Sequence, residues 1–542
     1  MSTRVQVPEP VNEPILDYAP GSTEREELKR KLGEMAGQVL DIPLVIGGEE
    51  VRTGDTANVV MPHDHGHVLA TYHKAGPEEI TKAIQASQEA HKEWAAWPWE
   101  DRVAVFLKAG ELLATNWRST VNASTMLGQS KTAFQAEIDA AAELVDFFRF
   151  NCSFAQDLYE EQPISSKGIW NSVEYRPLEG FVYAITPFNF TSIAGNLPSA
   201  PALMGNTVLW KPARTSLLSS YYIQKLFEAA GLPPGVINFI TGNSAEITRQ
   251  VFTNPAFGGV HFTGSTPVFQ SMWTAVGENI DGYNGYPRLV GETGGKDFII
   301  AHPSADPEAV TTAIIRGAFE YQGQKCSAAS RVYLPESLWR EIKDTLIEET
   351  EGIAMGDVQD FRNFMGAVID RAAYDKITGY IERARESADS QIVAGGTFDD
   401  SKGYFIRPTI VLAKKPDVEC MCDEIFGPVL TVYVYPDAEW SETLTLVDKT
   451  GEYALTGAVF SRDRKAILEA NRALRFAAGN YYINDKPTGA VVGQQPFGGA
   501  RASGTNDKAG SKMNLLRWVS ARTIKETFVP ATAYGYPYMG AE

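Results

Sequence analysis

Apolar residues in the first third of the chain recur at intervals of three and four positions. Val103, Phe106, Leu107 and Leu113 show this spacing, which is that of one face of an amphipathic helix. The pattern predicts two helices over about 77–97 and 100–130, which we expect to pack into a core and to carry no chemistry. A third helix is predicted over about 132–158.

Shorter elements precede and follow those helices. The first 40 residues predict an arm with one helix, because Thr23 and Glu26 have the spacing of a capping box. Val45 and Ile46, followed by two glycines, predict a strand and a tight turn. Residues 170–176 alternate in polarity, which predicts a strand that lies away from the helices.

From residue 180 onward, short apolar runs alternate with helical patterns. Runs at 181–185, 207–210 and 236–240 predict strands, and the segments between them predict helices. A second pattern of this kind extends from about residue 296 to 495. Because strands that alternate with helices form parallel sheets with right-handed crossovers, we predict an α/β protein.

Length, charge and cysteine usage narrow the class of protein. A chain of 542 residues is too long for one hydrophobic core and indicates two or three domains. The formal net charge of -18 would repel a polyphosphate backbone, so we expect no nucleic-acid partner. Four cysteines without the spacing of a disulfide framework indicate a reducing compartment.

The sequence predicts a cytoplasmic protein. Its first 15 residues lack the apolar core of a signal peptide and the composition of a transit peptide, although a mature protein of the mitochondrial matrix would look the same. The most apolar stretch, 193–210, contains Asn196, Pro198 and Pro201, which would leave backbone groups unsatisfied in lipid. We therefore expect a buried segment there and no membrane contact.

Clustered histidines and cysteines raise the question of a metal site. Four of the seven histidines lie between His63 and His73, but no helical histidine pair or CxxC motif accompanies them. We expect a solvated strand edge instead. Cys420 and Cys422 form a CxC, which alone is a poor site, so both are expected to be buried and no metal is predicted.

One cysteine stands in a segment that suits a nucleophile. Cys326 lies in YQGQKCSAAS, residues 321–330, after a predicted helix for which Asp306 is the N-cap and Pro307 the first residue. A thiol is a few per cent ionised at neutral pH and is strongly nucleophilic. The alternative is a small buried hydrophobic residue without chemistry.

A carboxylate upstream offers the base that such a nucleophile needs. Glu292 stands 34 positions before Cys326 in the segment LVGETGGKD, alone among glycines and apolar residues. Burial in such surroundings raises the pKa of a carboxyl group towards the range in which a general base works. The pair is therefore our candidate for covalent catalysis.

Together the two segments resemble the aldehyde dehydrogenase superfamily, and the resemblance covers nearly the whole chain. It implies two Rossmann-like parallel-sheet domains and a small β flap, with strand 170–176 paired to a segment near 515–518, in a homo-oligomer built on a dimer. The implied domains are an NAD-binding domain with the N-terminal arm (1–155 and 177–295), a catalytic domain (296–495), a return segment (496–510) and the oligomerisation flap (156–176 and 511–542).

The resemblance also implies NAD as the cofactor. Gly264 lies between a predicted strand and a helix that begins near Pro267, where backbone N–H groups can approach a pyrophosphate. This single-glycine turn matches the family, and the full GxGxxG fingerprint is absent. Arg214 stands where many relatives have a glutamate for the ribose hydroxyls, which keeps NADP as an alternative. The residues implied for the cofactor are Thr186, Lys211, Gly264, Ser265, Thr266, Glu424 and Phe426.

Residues 484–510 resemble the loop with which one branch of the superfamily, the Δ1-pyrroline-5-carboxylate dehydrogenases, holds the α-carboxylate of glutamate γ-semialdehyde. Gly489 and Ala490 would offer backbone N–H groups and Ser327 a hydroxyl, which are neutral donors without a buried countercharge. Some relatives have serine where Ala490 stands, so one side-chain contact is missing. Phe190 and Phe497 would flank the aliphatic part of this small-molecule substrate.

The implied reaction is the NAD-dependent oxidation of L-glutamate γ-semialdehyde to L-glutamate in proline degradation. Cys326 attacks the aldehyde, the Asn189 amide and the Cys326 N–H stabilise the oxyanion, and Glu292 activates the water that hydrolyses the thioester. Three alternatives stay open, namely another semialdehyde dehydrogenase such as one for succinate semialdehyde, a thiol hydrolase, and a non-catalytic NAD-binding protein.

Overall fold

Two seven-stranded sheets organise the protein. The computed structural model describes residues 5–541; residues 1–4 and 542, which belong to the predicted arm and flap, lie outside the described part. Helices pack on the sheets, and the strands alternate with helices along the chain. This is the α/β architecture that the hydrophobic pattern predicts.

The first sheet is parallel over most of its width. Its two N-terminal strands join the edge in antiparallel orientation, and the other five run parallel. Every residue of the two central strands is buried, which is typical of strands covered on both faces. In pairing order the strands are Arg288–Glu292, Phe257–Thr263, Phe181–Ile185, Thr207–Lys211, Ile237–Phe239, Leu44–Ile46 and Glu49–Val51.

The second sheet is built entirely from residues that follow the first. One edge strand pairs antiparallel and the other pairings are parallel. One of its inner strands, Asp297–Ala301, is completely buried. In pairing order the strands are Ser390–Ala394, Thr409–Ala413, Val429–Tyr435, Ala329–Pro335, Asp297–Ala301, Thr456–Phe460 and Asn480–Ile483.

Smaller sheets and the helices complete the fold. In one smaller sheet, Asp64–His73 lies between Leu40–Ile42 and Thr56–Met61. The others are two-stranded and pair Phe398–Asp399 with Phe405–Ile406, Tyr453–Ala454 with Ala500–Arg501, and Ile169–Pro177 with Val519–Thr527. The α-helices are Thr23–Ala36, Pro77–Trp94, Trp99–Ala114, Arg118–Gln129, Ala133–Ala136, Leu144–Glu160, Thr191–Leu203, Leu217–Ala230, Ser244–Phe252, Thr266–Glu278, Pro307–Phe319, Glu336–Glu351, Arg371–Glu386, Glu419–Cys422, Trp440–Lys449, Arg464–Ala473 and Lys512–Leu516. A π-helix spans Glu137–Glu143, and 3-10 turns span Arg214–Ser216, Ile280–Gly282, Glu320–Gly323 and Pro537–Met539.

Several predicted helix boundaries are wrong. The arm helix is capped by Ser22, whose hydroxyl accepts from the N–H of Arg25, rather than by Thr23. The predicted helix 100–130 is two helices, because the backbone of Thr115 leaves the helical region. Helical propensity and apolar spacing do not register such local breaks.

The flap register also differs from the prediction. Strand Ile169–Pro177 pairs with Val519–Thr527, and not with residues 515–518. Leu515 and Trp518 are fully buried in the hydrophobic core against one face of the first sheet, since the short helix Lys512–Leu516 packs inward. The strand that pairs with Ile169–Pro177 is mostly exposed and begins at Val519, directly after these buried residues.

The histidines after residue 62 do not form a solvated edge. His63 is 2% exposed and its Nδ1 lies 3.2 Å from the hydroxyl of Ser130. His65 and His67 each hydrogen-bond to a backbone carbonyl of another element at 2.8 Å. These contacts fasten the three-stranded sheet to its neighbours. Across residues 5–541, no group of three or more potential ligand side chains is arranged to hold a metal ion.

The remaining burial predictions are mostly confirmed. The apolar stretch 193–210 forms a buried helix and the following buried strand. None of the helices within the described residues is long and apolar enough to span a bilayer. Cys420 is buried, whereas Cys422 is partly exposed, contrary to the prediction.

A buried ion pair holds the N-terminal arm against the helices. The guanidinium of Arg118 donates to Glu137, which is fully buried, and at 2.6 Å to Glu13 of the arm. Glu137 also accepts from the hydroxyl of Tyr18 at 2.7 Å and from the amide of Asn122 at 2.8 Å. The arm is therefore attached through a charged network with few unpaired groups.

Replacing Arg118 by methionine should lower the thermal midpoint by a few degrees. Removal of one partner of a buried pair typically costs about 3–5 kcal/mol, because the other charge stays buried without compensation. Arg30→Met is the matched control, since Arg30 pairs with Glu34 on the exposed surface, where such a pair contributes about 0–1 kcal/mol. Equal midpoints for both variants, measured by calorimetry, would contradict a supporting role for the buried pair.

Candidate active site

The candidate nucleophile lies between a helix and a strand of the second sheet. As predicted, Asp306 caps helix Pro307–Phe319, and the 3-10 turn Glu320–Gly323 follows. Tyr321 and Gln322 adopt left-handed backbone conformations with φ of 50° and 55°, which cost on the order of 1 kcal/mol each. This turn sets the direction from which the chain reaches Cys326.

The side chain of Gln322 stabilises that turn. Its amide donates to the carbonyls of Ser130 at 3.0 Å and Ala367 at 2.7 Å, and its oxygen accepts from the N–H of Gly366 at 3.0 Å. Three hydrogen bonds from a buried side chain compensate a backbone conformation that the chain would otherwise avoid. The turn before Cys326 is thus fixed by two segments that are distant from it in sequence.

The candidate base lies beside the candidate nucleophile. Glu292 ends a strand of the first sheet, and its Oε1 is 3.8 Å from the Sγ of Cys326. Burial raises the pKa of Glu292 to about 7, although the hydrogen bond from Cys326 opposes this shift. Burial, with the charge of Glu292, also raises the pKa of the Cys326 thiol well above its usual range. The thiol is therefore protonated at neutral pH and needs a base to ionise.

Asn189 lies close to the nucleophile segment. It follows the strand Phe181–Ile185, it is buried, and its side-chain amide donates to the carbonyl of Gln324 at 3.0 Å. Gln324 precedes Cys326 by two residues. A carboxamide donor and a backbone N–H near one carbon centre are the groups that an oxyanion requires.

A cavity of about 860 Å³ lies in front of Cys326 and Glu292. Its walls contain every residue predicted for the nucleophile, the base and the substrate, whereas Asn189 is not among the lining residues. The predicted substrate residues found there are Phe190, Ser327, Gly489, Ala490 and Phe497. The loop 484–510 therefore does reach the nucleophile.

The cavity also contains charged groups that sequence reasoning missed. Arg316, Lys325 and Lys486 line it, together with the neutral donors that the sequence indicated. Lys325 is buried and pairs with Glu320 at 2.9 Å. The hydroxyl of Thr488 is buried on the same wall, with no hydrogen-bond partner among the described residues. This end of the cavity suits a carboxylate.

Three further ionisable residues lie at this cavity: Asp139 and Glu143 line it, and Lys131 lies behind them. Lys131 and Asp139 form a buried pair at 2.7 Å, and the hydroxyl of Ser192 lies within 2.8 Å of both Asp139 and Glu143. Burial, followed by the charge of Asp139, raises the pKa of Glu143 to about 8. One hydroxyl proton cannot be donated to both carboxyl groups, and the raised pKa of Glu143 makes Glu143 the one that carries a proton at neutral pH. The four-residue spacing of two acids in an apolar helix was the available sequence signal.

The predicted cofactor residues lie outside this cavity but adjoin it. Gly264 donates its N–H to the carbonyl of Glu292 at 3.2 Å, and Ser265 is the N-cap residue of helix Thr266–Glu278. A helix N-terminus offers unpaired N–H groups and a positive potential to a phosphate. A Cβ at Gly264 would lie 2.6 Å from the ring of Phe262, so only glycine fits this approach.

The other cofactor residues gather at the carboxyl edge of the first sheet. Thr186 bonds to the carbonyl of Lys211 at 3.2 Å. Burial lowers the pKa of Lys211 to about 8, and among residues 5–541 no carboxylate offsets this shift, so a hydroxyl acceptor would complete the site. Glu424 accepts from the N–H of Gly295 at 2.9 Å, and the ring of Phe426 lies 5.9 Å from that of Phe188. This arrangement fits a ribose and a flat ring near the nucleophile.

Arg214, three residues after the strand end at Lys211, has an acidic partner. It is largely exposed and pairs with Asp370 at 3.2 Å. Asp370 is itself fixed, because its other oxygen caps helix Arg371–Glu386 through the N–H of Ala373. The pairing reduces the positive charge that Arg214 offers to a 2′-phosphate.

Comparisons with known proteins agree over the length of the chain. Residues 50–524 match the profile described as the aldehyde dehydrogenase family. A Dictyostelium discoideum protein named delta-1-pyrroline-5-carboxylate dehydrogenase, mitochondrial, is 54% identical over 539 residues, 99% of this chain and 97% of its own. The Homo sapiens protein of the same name is 51% identical over 529 residues, 97% and 94% of the two chains. A crystal structure of the delta-pyrroline-5-carboxylate dehydrogenase from Mycobacterium tuberculosis bound with NAD is 54% identical, with a TM-score of 0.97 over 100% of both chains.

Alkylation of Cys326 by iodoacetamide should increase as the pH rises through about 7. Glu292 must be deprotonated to accept the thiol proton, and its raised pKa places that change near pH 7. In Glu292→Gln the increase should move to higher pH, because only hydroxide then removes the proton. Mass spectrometry of each cysteine gives the rates, and buried Cys152 and Cys420 provide internal controls that stay unmodified. An unchanged profile in the variant would exclude Glu292 as the base.

Proposed function

Because the chain belongs to the aldehyde dehydrogenase family, we propose that it oxidises L-glutamate γ-semialdehyde to L-glutamate with NAD as the hydride acceptor. One observation carries this proposal. The thiol of Cys326 lies 3.8 Å from the carboxylate of Glu292 in a cavity whose wall includes the 484–510 loop. The relatives compared above are named delta-1-pyrroline-5-carboxylate dehydrogenases, and 1-pyrroline-5-carboxylate is the cyclic form of this semialdehyde. The reaction of this chain accordingly belongs to proline degradation.

Cys326 and Glu292 divide the reaction into two half-reactions. Glu292 takes the thiol proton, and the sulfur attacks the aldehyde carbon to form a thiohemiacetal. The Asn189 amide and the Cys326 N–H donate to the oxyanion. The thiohemiacetal becomes the thioester by losing a hydride, and Glu292 releases the thiol proton to solvent before the second half-reaction. Glu292 then takes a proton from water, the water attacks the acyl carbon, and the sulfur leaves with that proton as the thiol while the acid is released.

The cofactor supplies a hydride acceptor when it is bound. Lys211 and Glu424 are positioned to hold ribose hydroxyls, and the turn at Gly264 and Ser265 to receive the pyrophosphate. The pairing of Arg214 with Asp370 supports NAD over NADP. The ring of Phe426 would limit the depth of the nicotinamide.

Recognition of the substrate takes place at the other end of the cavity. Gly489 and Ala490 offer N–H groups, and Ser327 and Thr488 offer hydroxyls, of which the buried Thr488 hydroxyl lacks a partner within the described residues. Lys486 adds a positive charge on the same wall. Together these groups favour a substrate with a carboxylate at the end opposite to the aldehyde.

The compartment and the assembly remain predictions. We propose a cytoplasmic enzyme; the D. discoideum and human relatives are named as mitochondrial, which supports the matrix alternative. The exposed strand pair of Ile169–Pro177 and Val519–Thr527 supports an oligomer built on a dimer, because such a pair leaves free edges for another chain.

Cys326→Ala should abolish aldehyde oxidation and leave NAD affinity unchanged. The thiol forms the covalent bond but does not contact the residues assigned to the cofactor. Calorimetric titration measures NAD affinity, and absorbance of the reduced cofactor measures turnover. Full steady-state activity in this variant would refute the assignment of the nucleophile.

Glu292→Gln should reduce turnover by about two orders of magnitude or more, since a general base contributes about 10²–10⁴-fold. If the base acts mainly in hydrolysis of the thioester, rapid mixing should show a burst of reduced cofactor near one equivalent per site, followed by slow turnover. A variant that turns over at the wild-type rate would remove Glu292 from the mechanism.

The enzyme should prefer aldehydes that carry the α-carboxylate. Each hydrogen bond to a charged group contributes about 1.5–3 kcal/mol, so butyraldehyde should be poorer by about two orders of magnitude in kcat/KM. Ser327→Ala should raise KM for the semialdehyde more than it lowers kcat, and should hardly affect butyraldehyde. An aldehyde panel that includes succinate semialdehyde, run with NAD and NADP, measures these ratios. Equal kcat/KM values for butyraldehyde and the semialdehyde would contradict the substrate but not the chemistry.

A further inference from the structure

We propose that Lys131 is a positioning residue for this reaction: its buried ammonium holds the substrate-side ring of Phe190 and the turn before Cys326 at a fixed separation. The inference rests on the proposed function, because it takes Cys326 as the nucleophile. Lys131 is not among the lining residues of the described cavity, so it acts through the groups that it contacts.

The ammonium of Lys131 lies between two aromatic faces. Its Nζ is 4.2 Å from the ring centroid of Phe190 and 4.6 Å from that of Tyr321. The side chain is 1% exposed. Cation–π attraction is strongest in such a desolvated place, so each ring is held in its position relative to the same charge. Phe190 belongs to the segment that lines the substrate cavity, and Tyr321 belongs to the turn that precedes Cys326.

The third contact of the ammonium connects it to the start of a helix. Asp139 accepts from Lys131 at 2.7 Å, and it also accepts from the N–H groups of Thr191 at 3.0 Å and Ser192 at 2.9 Å. These N–H groups lie in the first turn of helix Thr191–Leu203, directly after Asn189 and Phe190. Lys131 therefore neutralises the acid that caps this helix, which begins directly after the oxyanion donor Asn189 and the ring of Phe190.

The contact with Tyr321 acts on the strained turn. Tyr321 has a φ of 50° and its hydroxyl has no hydrogen-bond partner among the described residues, so it is its ring face that Lys131 contacts. Three residues later, the carbonyl of Gln324 accepts from Asn189 at 3.0 Å. Lys131 thus contacts the same two segments that the Asn189–Gln324 hydrogen bond joins, and it fixes their separation.

Through these contacts, one side chain fixes the distances between Cys326, Phe190 and Asn189. Without the charge, both rings and the cap at Asp139 lose their common partner, and Cys326 shifts relative to Phe190 and Asn189. A misplacement of about 1 Å costs about a hundredfold in rate when it changes the approach of the reacting atoms. The ammonium contributes no atom to the chemistry and still sets its rate.

The test is Lys131→Met, which keeps the length of the side chain and removes the charge. In single-turnover experiments with enzyme in excess and saturating NAD, we expect the rate per active site to fall about ten- to a hundredfold. Active sites are counted separately, by alkylation of Cys326 with labelled iodoacetamide in the absence of NAD. A purely structural lysine would lower the number of active sites and the thermal midpoint, but not the rate at each site.

Arg118→Met is the matched control, because it also removes one partner of a buried ion pair but contacts neither ring. A rate per site in Lys131→Met equal to that in Arg118→Met overturns the proposal. Should Lys131→Met fail to fold, Tyr321→Leu removes one ring face and keeps the Lys131–Asp139 pair; a wild-type rate per site there overturns it equally. Full steady-state activity in Cys326→Ala would instead refute the nucleophile assignment of the proposed function, so the two failures are distinguishable.

Discussion

Desolvation of one carboxylate beside one thiol is the constraint on which the rest of the structure depends. Glu292 and Cys326 both have raised pKa values because protein atoms replace water around them. A thiolate would be too costly to maintain in that environment, and an exposed carboxylate would be too weak a base at neutral pH. The pair works because each group needs the other in order to react.

The strand end that carries Glu292 is packed against glycine backbone. Glu292 ends the first sheet and forms a bridge with Gly504, where a Cβ would lie 2.3 Å from the carbonyl of Gly291. At Gly291 a Cβ would overlap the ring of Phe269 at 2.2 Å. Backbone thus packs against backbone and ring at this junction, which fixes the position from which Glu292 reaches the cavity. The same junction places the cofactor turn at Gly264 next to the base.

The sequence predicted those parts of the site that sit at the ends of regular elements. Cys326 and Glu292 were found because short apolar runs and glycines mark where strands end. Lys131 and Asp139 were missed because they look like ordinary charges of an amphipathic helix, and their burial is decided by helices distant in sequence. His63 was misplaced for the same reason. Local pattern reports which side of an element is apolar, but the chemistry of a pocket wall is set by tertiary packing.

Part of the cavity wall comes from the N-terminal arm, and this determines when the cavity is completed during folding. Residues such as Asn12 and Tyr18 line the cavity, and the amide of Asn12 donates to the carbonyl of Val492, 480 positions away. Contacts of such sequence separation must bear the entropy of closing almost the whole chain, and they form late. During synthesis the arm leaves the ribosome before the wall against which it will lie exists. The substrate chamber is therefore completed only once the entire polypeptide is available, so that a nascent or truncated chain presents the nucleophile in an unfinished pocket.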